Sequence, residues 1–141
     1  MKSIKTLNIF TDGGARGNPG PAGIGVYITD EEKKEIVGFG KKIGHATNNV
    51  AEYKAVIEAL LWIKEHKETL EKNAKINFFL DSRLVCSQIQ GVFKVKDGRL
   101  RSLLFMVREI EAELKLVISY SHIPREQNTR ADFFVNSALD K

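Results

Sequence analysis

Four acidic side chains stand where predicted secondary-structure elements begin or end. Asp12 and Asp81 each follow a strand-like apolar run, whereas Glu52 and Asp132 lie early in predicted helices. In an open sheet with parallel central strands, functional sites form at the carboxyl ends of those strands. Four carboxylates that converge there without cations would repel one another and raise one another's pKa. The pattern therefore favours a site for hard divalent cations such as Mg²⁺, which prefer oxygen ligands.

Each of these acids also has a purely local interpretation. Glu52 can complete a capping box with Asn49, and Asp132 can favour the positive end of the last helix. Asp81 can help to start the helix that follows it, and Asp12 can be a turn residue. Four acids that each stand at the end of a predicted element, on what can be one edge of the same sheet, make the metal site the stronger interpretation.

The segment 12–21, DGGARGNPGP, raises the alternative of a phosphate-binding loop. A P-loop requires a lysine directly after its last glycine, and a dinucleotide-binding turn opens a helix. Here no lysine follows at that spacing, and the segment leads into an alternating strand, AGIGVYIT at 22–29. We therefore interpret the segment as a hairpin loop that glycine and proline shape.

The placement of the acids depends on the elements that the rest of the chain predicts. Apolar alternation predicts an antiparallel meander of three strands at 4–11, 22–29 and 35–44. From Val50 onwards the apolar residues follow helical spacing. This helix comes after Asn48 and Asn49, which are both good N-cap residues.

The second half of the chain alternates between strands and helices. We predict strands at 75–81 and 115–122, and helices at 82–90, after Asp97 and from about Asn128. The order β-β-β-α-β-α-α-β-α predicts an α/β protein with a mixed sheet and helices against its faces. If the first and fourth strands are adjacent and parallel, Asp12 and Asp81 meet at one edge.

Composition limits the class of protein. The 141 residues are 43% hydrophobic and 28% charged, as in an ordinary globular protein, and we expect a single domain over 1–141. The net charge of +4 is compatible with a polyanionic partner but does not require one. The single cysteine, Cys86, excludes an internal disulfide. We find no signal peptide and no apolar run of membrane-spanning length, so no membrane contact is expected. The single cysteine favours a reducing, cytoplasmic setting, and we expect a monomer because no apolar surface stripe indicates a partner.

Four sequence blocks carry the four acids: TDGGARGNPGPAGIG, TNNVAEYKAVIEAL, LDSRLV and HIPREQNTRAD. In this order and at these spacings they resemble type 1 ribonuclease H over about residues 7–139. The resemblance implies the ribonuclease H fold, a five-stranded mixed sheet, first antiparallel and then parallel, with helices on both faces. It also implies an endonuclease that hydrolyses the RNA strand of RNA–DNA hybrids, leaving 5′-phosphate and 3′-hydroxyl ends.

By the same resemblance, Asp12, Glu52, Asp81 and Asp132 are the catalytic, metal-binding carboxylates. They would hold two Mg²⁺ ions, with Mn²⁺ as a substitute, about 4 Å apart at the scissile phosphate. His122 stands ten residues before Asp132, as does a family histidine proposed to assist proton transfer or product release. The alternative is a histidine that only closes the fifth strand.

The resemblance also assigns residues that contact the hybrid. Amides and hydroxyls suit this task because they can engage both 2′-hydroxyls and phosphate oxygens. The glycines around Asn18 let the backbone come close to the sugar-phosphate chain. The substrate-binding set comprises Gly13, Asn18, Thr47, Asn48, Asn49 and Arg83.

Three features depart from the family's pattern. Several members have glutamine where this chain has Arg83, and a guanidinium favours phosphate over a 2′-hydroxyl. The segment 91–101 is too short for the extra basic helix of some bacterial members. The tandem Phe133 and Phe134 is expected to pack the last helix on the sheet.

Two other functions stay open. Because of Arg83, a nuclease of the same fold that acts on DNA or double-stranded RNA is one of them. A non-catalytic nucleic-acid-binding module of the same fold is the other, although four acids facing phosphate disfavour it.

Overall fold

A computed structural model of the protein describes residues 3–141. Its five strands are β1 (Ile4–Ala15), β2 (Gly20–Thr29), β3 (Glu35–Ala46), β4 (Leu70–Leu80) and β5 (Val117–His122). They form one sheet in the order β3-β2-β1-β4-β5. The first three strands pair antiparallel, and β4 pairs parallel with both β1 and β5. The predicted mixed sheet is therefore confirmed.

The helices lie on both faces of this sheet, as predicted. They are α1 (Asn48–Glu65), α2 (Arg83–Gln90), α3 (Gly98–Leu114) and α4 (Thr129–Leu139), with 3₁₀ turns at Lys67–Thr69 and Arg125–Gln127. One face of β1 and β2 packs against α1, which in turn packs against α3, while α4 packs against the other face, over β1, β2 and β3. Among residues 3–141, no helix combines the length and the apolar character that crossing a membrane requires.

The face of the sheet under α1 carries most of the core, because alternate residues of each strand point to the same side. The strands bury Leu7, Ile9, Ile24, Val26, Ile28, Ile76, Phe78 and Leu80 there, and α1 buries Val56, Leu60 and Ile63 against them. Burying one side chain of this size contributes about 1.5–3 kcal/mol. This core holds β1 and β4 in register.

The start of α1 corrects one prediction. Thr47, rather than Asn48 or Asn49, is the N-cap, and its hydroxyl oxygen accepts the N–H of Val50 at 3.2 Å. Asn48 and Asn49 are the first residues of the helix itself. The side chain of Asn48 is engaged elsewhere, since its Oδ1 accepts the N–H of Ala15 at 2.8 Å.

On the other face, α4 lies directly on glycines of the sheet. A methyl group at Gly25 would stand 2.0 Å from the carbonyl oxygen of Ala131, and one at Gly40 would stand 2.1 Å from that of Phe134. Gly25 and Gly40 are paired neighbours on β2 and β3. Together they form a flat surface that lets the backbone of α4 approach the sheet.

The two phenylalanines of α4 behave differently. Phe134 is half-buried, and its ring would stand 2.4 Å from a methyl group at Gly38, so it packs on the sheet as predicted. Phe133 is 54% exposed, and the prediction is wrong for this residue. Successive residues of a helix point about 100° apart, so only one of the two rings can face the sheet.

Gly25→Ala is expected to destabilise the fold and to displace α4. The added methyl group would meet the backbone of Ala131, and overpacking of this kind costs about 1–3 kcal/mol. Gly98→Ala is the control, because a methyl group there meets nothing within 4 Å. Urea denaturation of both variants measures the free energy of unfolding, and a wild-type value for Gly25→Ala would contradict the close approach of α4.

Candidate functional site

The parallel pairing of β1 with β4 places two of the predicted acids side by side. The last paired residues are Thr11 and Leu80, so Asp12 and Asp81 follow together at the carboxyl end of the ladder. Contrary to the prediction, Asp12 does not end its strand, since β1 continues to Ala15 paired only with β2. Because β4 stops earlier, the last part of β1 has an open edge, and the site forms there.

Glu52 reaches the same place from α1, because a glycine lets this helix lie directly on β1. A methyl group at Gly13 would stand 2.2 Å from the carbonyl carbon of Ala51. The N–H of Gly13 donates to Glu52 Oε1 at 3.0 Å, and Glu52 is only 6% exposed. The capping-box interpretation of Glu52 is therefore wrong, since its carboxyl group faces β1 and Thr47 caps the helix.

Asp132 comes from the first turn of α4. Carboxylate oxygens of Asp12, Glu52 and Asp81 all lie within 4.8 Å of one another. Asp132 is more exposed and lines the same cavity. It is close enough that its charge and a hydrogen bond raise the pKa of Asp12. The structure thus brings the four predicted acids to one edge of the sheet.

Burial dominates the electrostatics of this cluster. It raises the pKa of Asp12 to about 7, an effect that a hydrogen bond with Glu52 opposes and the charges of Asp81 and Asp132 reinforce. The pKa of Glu52 lies well above its usual range, first because of burial and then because of the charge of Asp12. Without a cation, both carboxyl groups therefore bind protons more tightly than isolated carboxyl groups do.

The donor set fits a hard divalent cation. It consists of carboxylate oxygens, the ligands that Mg²⁺ and Mn²⁺ prefer. Glu52 Oε2 is buried and accepts no N–H or O–H group of the described residues. A cation would give this oxygen a partner and compensate the repulsion between the carboxylates. Asp12, Glu52, Asp81 and Asp132 are the residues that can hold it.

A cavity of about 460 Å³ opens over the acids. Its wall includes four of the predicted substrate-binding residues, Gly13, Asn48, Asn49 and Arg83. The other two, Asn18 and Thr47, line a second cavity of about 400 Å³, which also has Asn49 in its wall. Since Asn49 borders both cavities, the predicted substrate-binding residues form one polar rim beside the acids.

Asn18 and Asn48 also hold the local structure together. Asn18 Oδ1 accepts the backbone N–H of Asn48 at 3.0 Å, and Asn48 Oδ1 accepts that of Ala15 at 2.8 Å. These bonds tie the hairpin between β1 and β2 to the start of α1. With both oxygens engaged, the Nδ2 groups are the donors that these side chains can offer to a polyanion.

The segment between β5 and α4 differs most from the prediction. His122 is exposed at the end of β5 and is not among the residues that line the acidic cavity, whereas Arg125 is. Buried Asn128 donates from Nδ2 to Asp81 Oδ2 at 2.8 Å. Neither Arg125 nor Asn128 carries a predicted role in the site. The signal for both is their place in the block HIPREQNTRAD, between a strand end and an acid.

Comparison with known families and proteins gives consistent matches. The family described as Reverse transcriptase-like matches residues 10–138. The chain is 37% identical over 134 residues to the Bifunctional protein Rv2228c of Mycobacterium tuberculosis, covering 94% of this chain and 35% of that protein. It is 36% identical to Ribonuclease HI of Halobacterium salinarum, covering 95% of this chain and 64% of that protein. The chain thus spans about a third of the first relative and less than two thirds of the second.

Solved structures agree with these matches. LC11-RNase H1 in complex with an RNA/DNA hybrid is 44% identical to this chain, with a TM-score of 0.90. The superposition covers 95% of this chain and 96% of that one. Both the sequence and the fold are therefore shared over nearly the whole length.

In the absence of divalent cations, the protein is expected to lose stability as the pH rises through about 7, the folded-state pKa of Asp12. This pKa is raised above its unfolded value, so the folded state binds more protons between the two values. The stabilising contribution is complete below the unfolded pKa and is lost as the pH rises through the folded one. The free energy of unfolding is expected to change by an amount on the order of a few kcal/mol.

Denaturant midpoints at pH 5 and pH 8 in EDTA measure this effect. Asp12→Asn cannot titrate at this position and is expected to show a smaller difference between the two pH values. An identical pH dependence in the wild type and in Asp12→Asn would contradict the raised pKa.

Proposed function

Because this chain belongs to the reverse transcriptase-like family and, within it, to the type 1 ribonucleases H, we propose that it hydrolyses the RNA strand of RNA–DNA hybrids. The convergence of four acids at one sheet edge carries this proposal, since oxygens of three of them lie within 4.8 Å of one another. The relative that binds an RNA/DNA hybrid supports the choice of substrate.

In the proposed mechanism, Asp12, Glu52, Asp81 and Asp132 would hold two Mg²⁺ ions, for which Mn²⁺ could substitute. Such ions would generate a nucleophilic water at neutral pH and stabilise the charge on the scissile phosphate. The protein prepares the ligands by burying Asp12 and Glu52 and by holding Glu52 through the N–H of Gly13. Asp12 and Glu52 would bind such ions in their deprotonated form, so cation binding would release any proton that they hold. Hydrolysis then leaves 5′-phosphate and 3′-hydroxyl ends.

The polar rim is proposed to bind the hybrid. The side-chain donors of Asn18, Asn48 and Asn49 can reach phosphate or sugar oxygens, including the 2′-hydroxyl that distinguishes RNA from DNA. Arg83 and Arg125 line the same cavity as the acids and attract a phosphate that the acids alone would repel.

We also propose a cytoplasmic monomer, in keeping with a single buried cysteine.

The experiment that tests this function is cleavage of three matched labelled duplexes, RNA–DNA, RNA–RNA and DNA–DNA, with Mg²⁺, Mn²⁺ or EDTA. We expect cleavage of only the RNA strand of the hybrid, and only with a divalent cation. Asp81→Asn is expected to abolish turnover with the fold intact, because it removes one ligand charge at nearly constant shape. More than a few per cent of residual activity would contradict the role of Asp81.

A matched variant controls for the loss of charge alone. Glu109→Gln removes one negative charge from the exposed surface of α3 and is expected to cleave like the wild type.

Other outcomes of the duplex assay would point to other functions. Cleavage of RNA–RNA by the wild type as well would implicate Arg83 in a relaxed choice of substrate. Tight binding of the hybrid without cleavage in either metal would instead favour the non-catalytic binding module.

Arg125→Ala and His122→Ala distinguish two roles beside the acids. Arg125→Ala removes a cation from the cavity wall and is expected to lower kcat/KM about tenfold, or about 1.4 kcal/mol, at every pH. The role of His122 in proton transfer stays a prediction, in which His122→Ala lowers kcat and changes the shape of the pH–rate profile. An unchanged kcat and profile would contradict that role.

A further inference from the structure

Asn128 stands at the N-cap position of α4, but its side chain does not cap the helix. An asparagine at this position ordinarily accepts a backbone N–H of the first turn through its side-chain oxygen. Here the amide instead extends toward the sheet, and the residue is 1% exposed. A residue type suited to capping is therefore used for something else.

The amide nitrogen makes two hydrogen bonds at the acidic cluster. Asn128 Nδ2 donates to the carbonyl oxygen of Thr11 at 2.9 Å and to Asp81 Oδ2 at 2.8 Å. Both partners are acceptors, so only the nitrogen of the amide can face them. The two protons of the amide are thus used at the point where β1 and β4 stop pairing.

The backbone of Asn128 reaches another acid. Its carbonyl oxygen accepts the N–H of Asp132 at 3.2 Å, and the carbonyl oxygen of Thr11 belongs to the peptide bond that Thr11 shares with Asp12. Asn128 therefore contacts the carboxylate of Asp81 directly. It is also hydrogen-bonded to the backbone N–H of Asp132 and to the carbonyl group that precedes Asp12. In this way one residue links strands β1 and β4 to helix α4.

We propose that Asn128 is the positioning residue of the carboxylate cluster, holding Oδ2 of Asp81 so that Oδ1 stays available to a divalent cation. This inference rests on the proposed function only in taking the four acids as cation ligands. Hydrogen bonds to a ligating carboxylate fix its orientation, and removing such a partner typically lowers metal affinity or activity about 10–100-fold. Asn128 is 1% exposed and does not line the acidic cavity, so this role is exerted through Asp81.

A purely structural role makes a different prediction. If Asn128 only satisfied the carbonyl group of Thr11, its removal would lower the stability of the fold and leave cation affinity unchanged in the protein that remains folded. Cation binding without nucleic acid therefore separates the two roles, and it does so without depending on hydrolysis.

The test is calorimetric titration of the wild type, Asn128→Ala and Asn128→Ser with Mn²⁺ in the absence of nucleic acid. Each protein is titrated at a temperature below its unfolding midpoint. Both variants are expected to bind Mn²⁺ at least tenfold more weakly than the wild type. Asn128→Ser is included because serine is a favoured N-cap residue, so α4 can still begin there if the alanine variant does not fold. In the cleavage assay, we expect a lower kcat with an unchanged KM for the hybrid.

Asn77→Ala is the matched control. Asn77 lies on β4 before Asp81, and its Nδ2 donates to Asn8 Oδ1 at 3.2 Å, away from the acids. It is expected to bind Mn²⁺ like the wild type. Wild-type Mn²⁺ affinity in both Asn128 variants would overturn the positioning role. A loss of Mn²⁺ affinity in Asn77→Ala as large as that in the Asn128 variants would overturn it too. If the wild type binds Mn²⁺ but does not cleave the hybrid, the proposed function fails and the titration still decides the role of Asn128.

Discussion

The parallel ladder between β1 and β4 determines where the rest of the site must lie. It ends at Thr11 and Leu80, and the residues after this pair are the two acids Asp12 and Asp81. Because side chains alternate along a strand, a slip of one residue would turn either carboxylate to the opposite face. The same alternation buries Ile9 and its neighbours under α1. The strand register that packs the core therefore also aligns the two acids.

The helices bring the remaining acids to this edge from both faces, and each relies on a glycine of the sheet. Gly13 lets the backbone of α1 approach β1, and Gly25 does the same for α4 on β2. A side chain at either position would push the helix away, and Glu52 or Asp132 would move with it. The lack of a side chain at these glycines is therefore as much a part of the site as the carboxylates are.

The clustered carboxylates lower the stability of the folded state when no cation is bound. Burial and mutual repulsion raise the pKa values of Asp12 and Glu52, so the folded protein binds protons more tightly than the unfolded chain does. Perturbed groups of this kind cluster at functional sites, where stability is exchanged for activity. A ligand that binds only the folded state stabilises it, so a divalent cation would join the residues that otherwise repel one another.

Much of this molecule follows from the sequence alone, because alternation, helical spacing and motif spacing are local signals. They predict the order of the elements, the mixed sheet and the four acids of the site. Tertiary structure alone decided where polar side chains with distant partners point. Glu52 is bonded to Gly13, 39 residues away, and Asn128 to Asp81, 47 residues away. Local rules assign both residues to helix starts, and only the packing of α1 and α4 on the sheet turns them toward the acids.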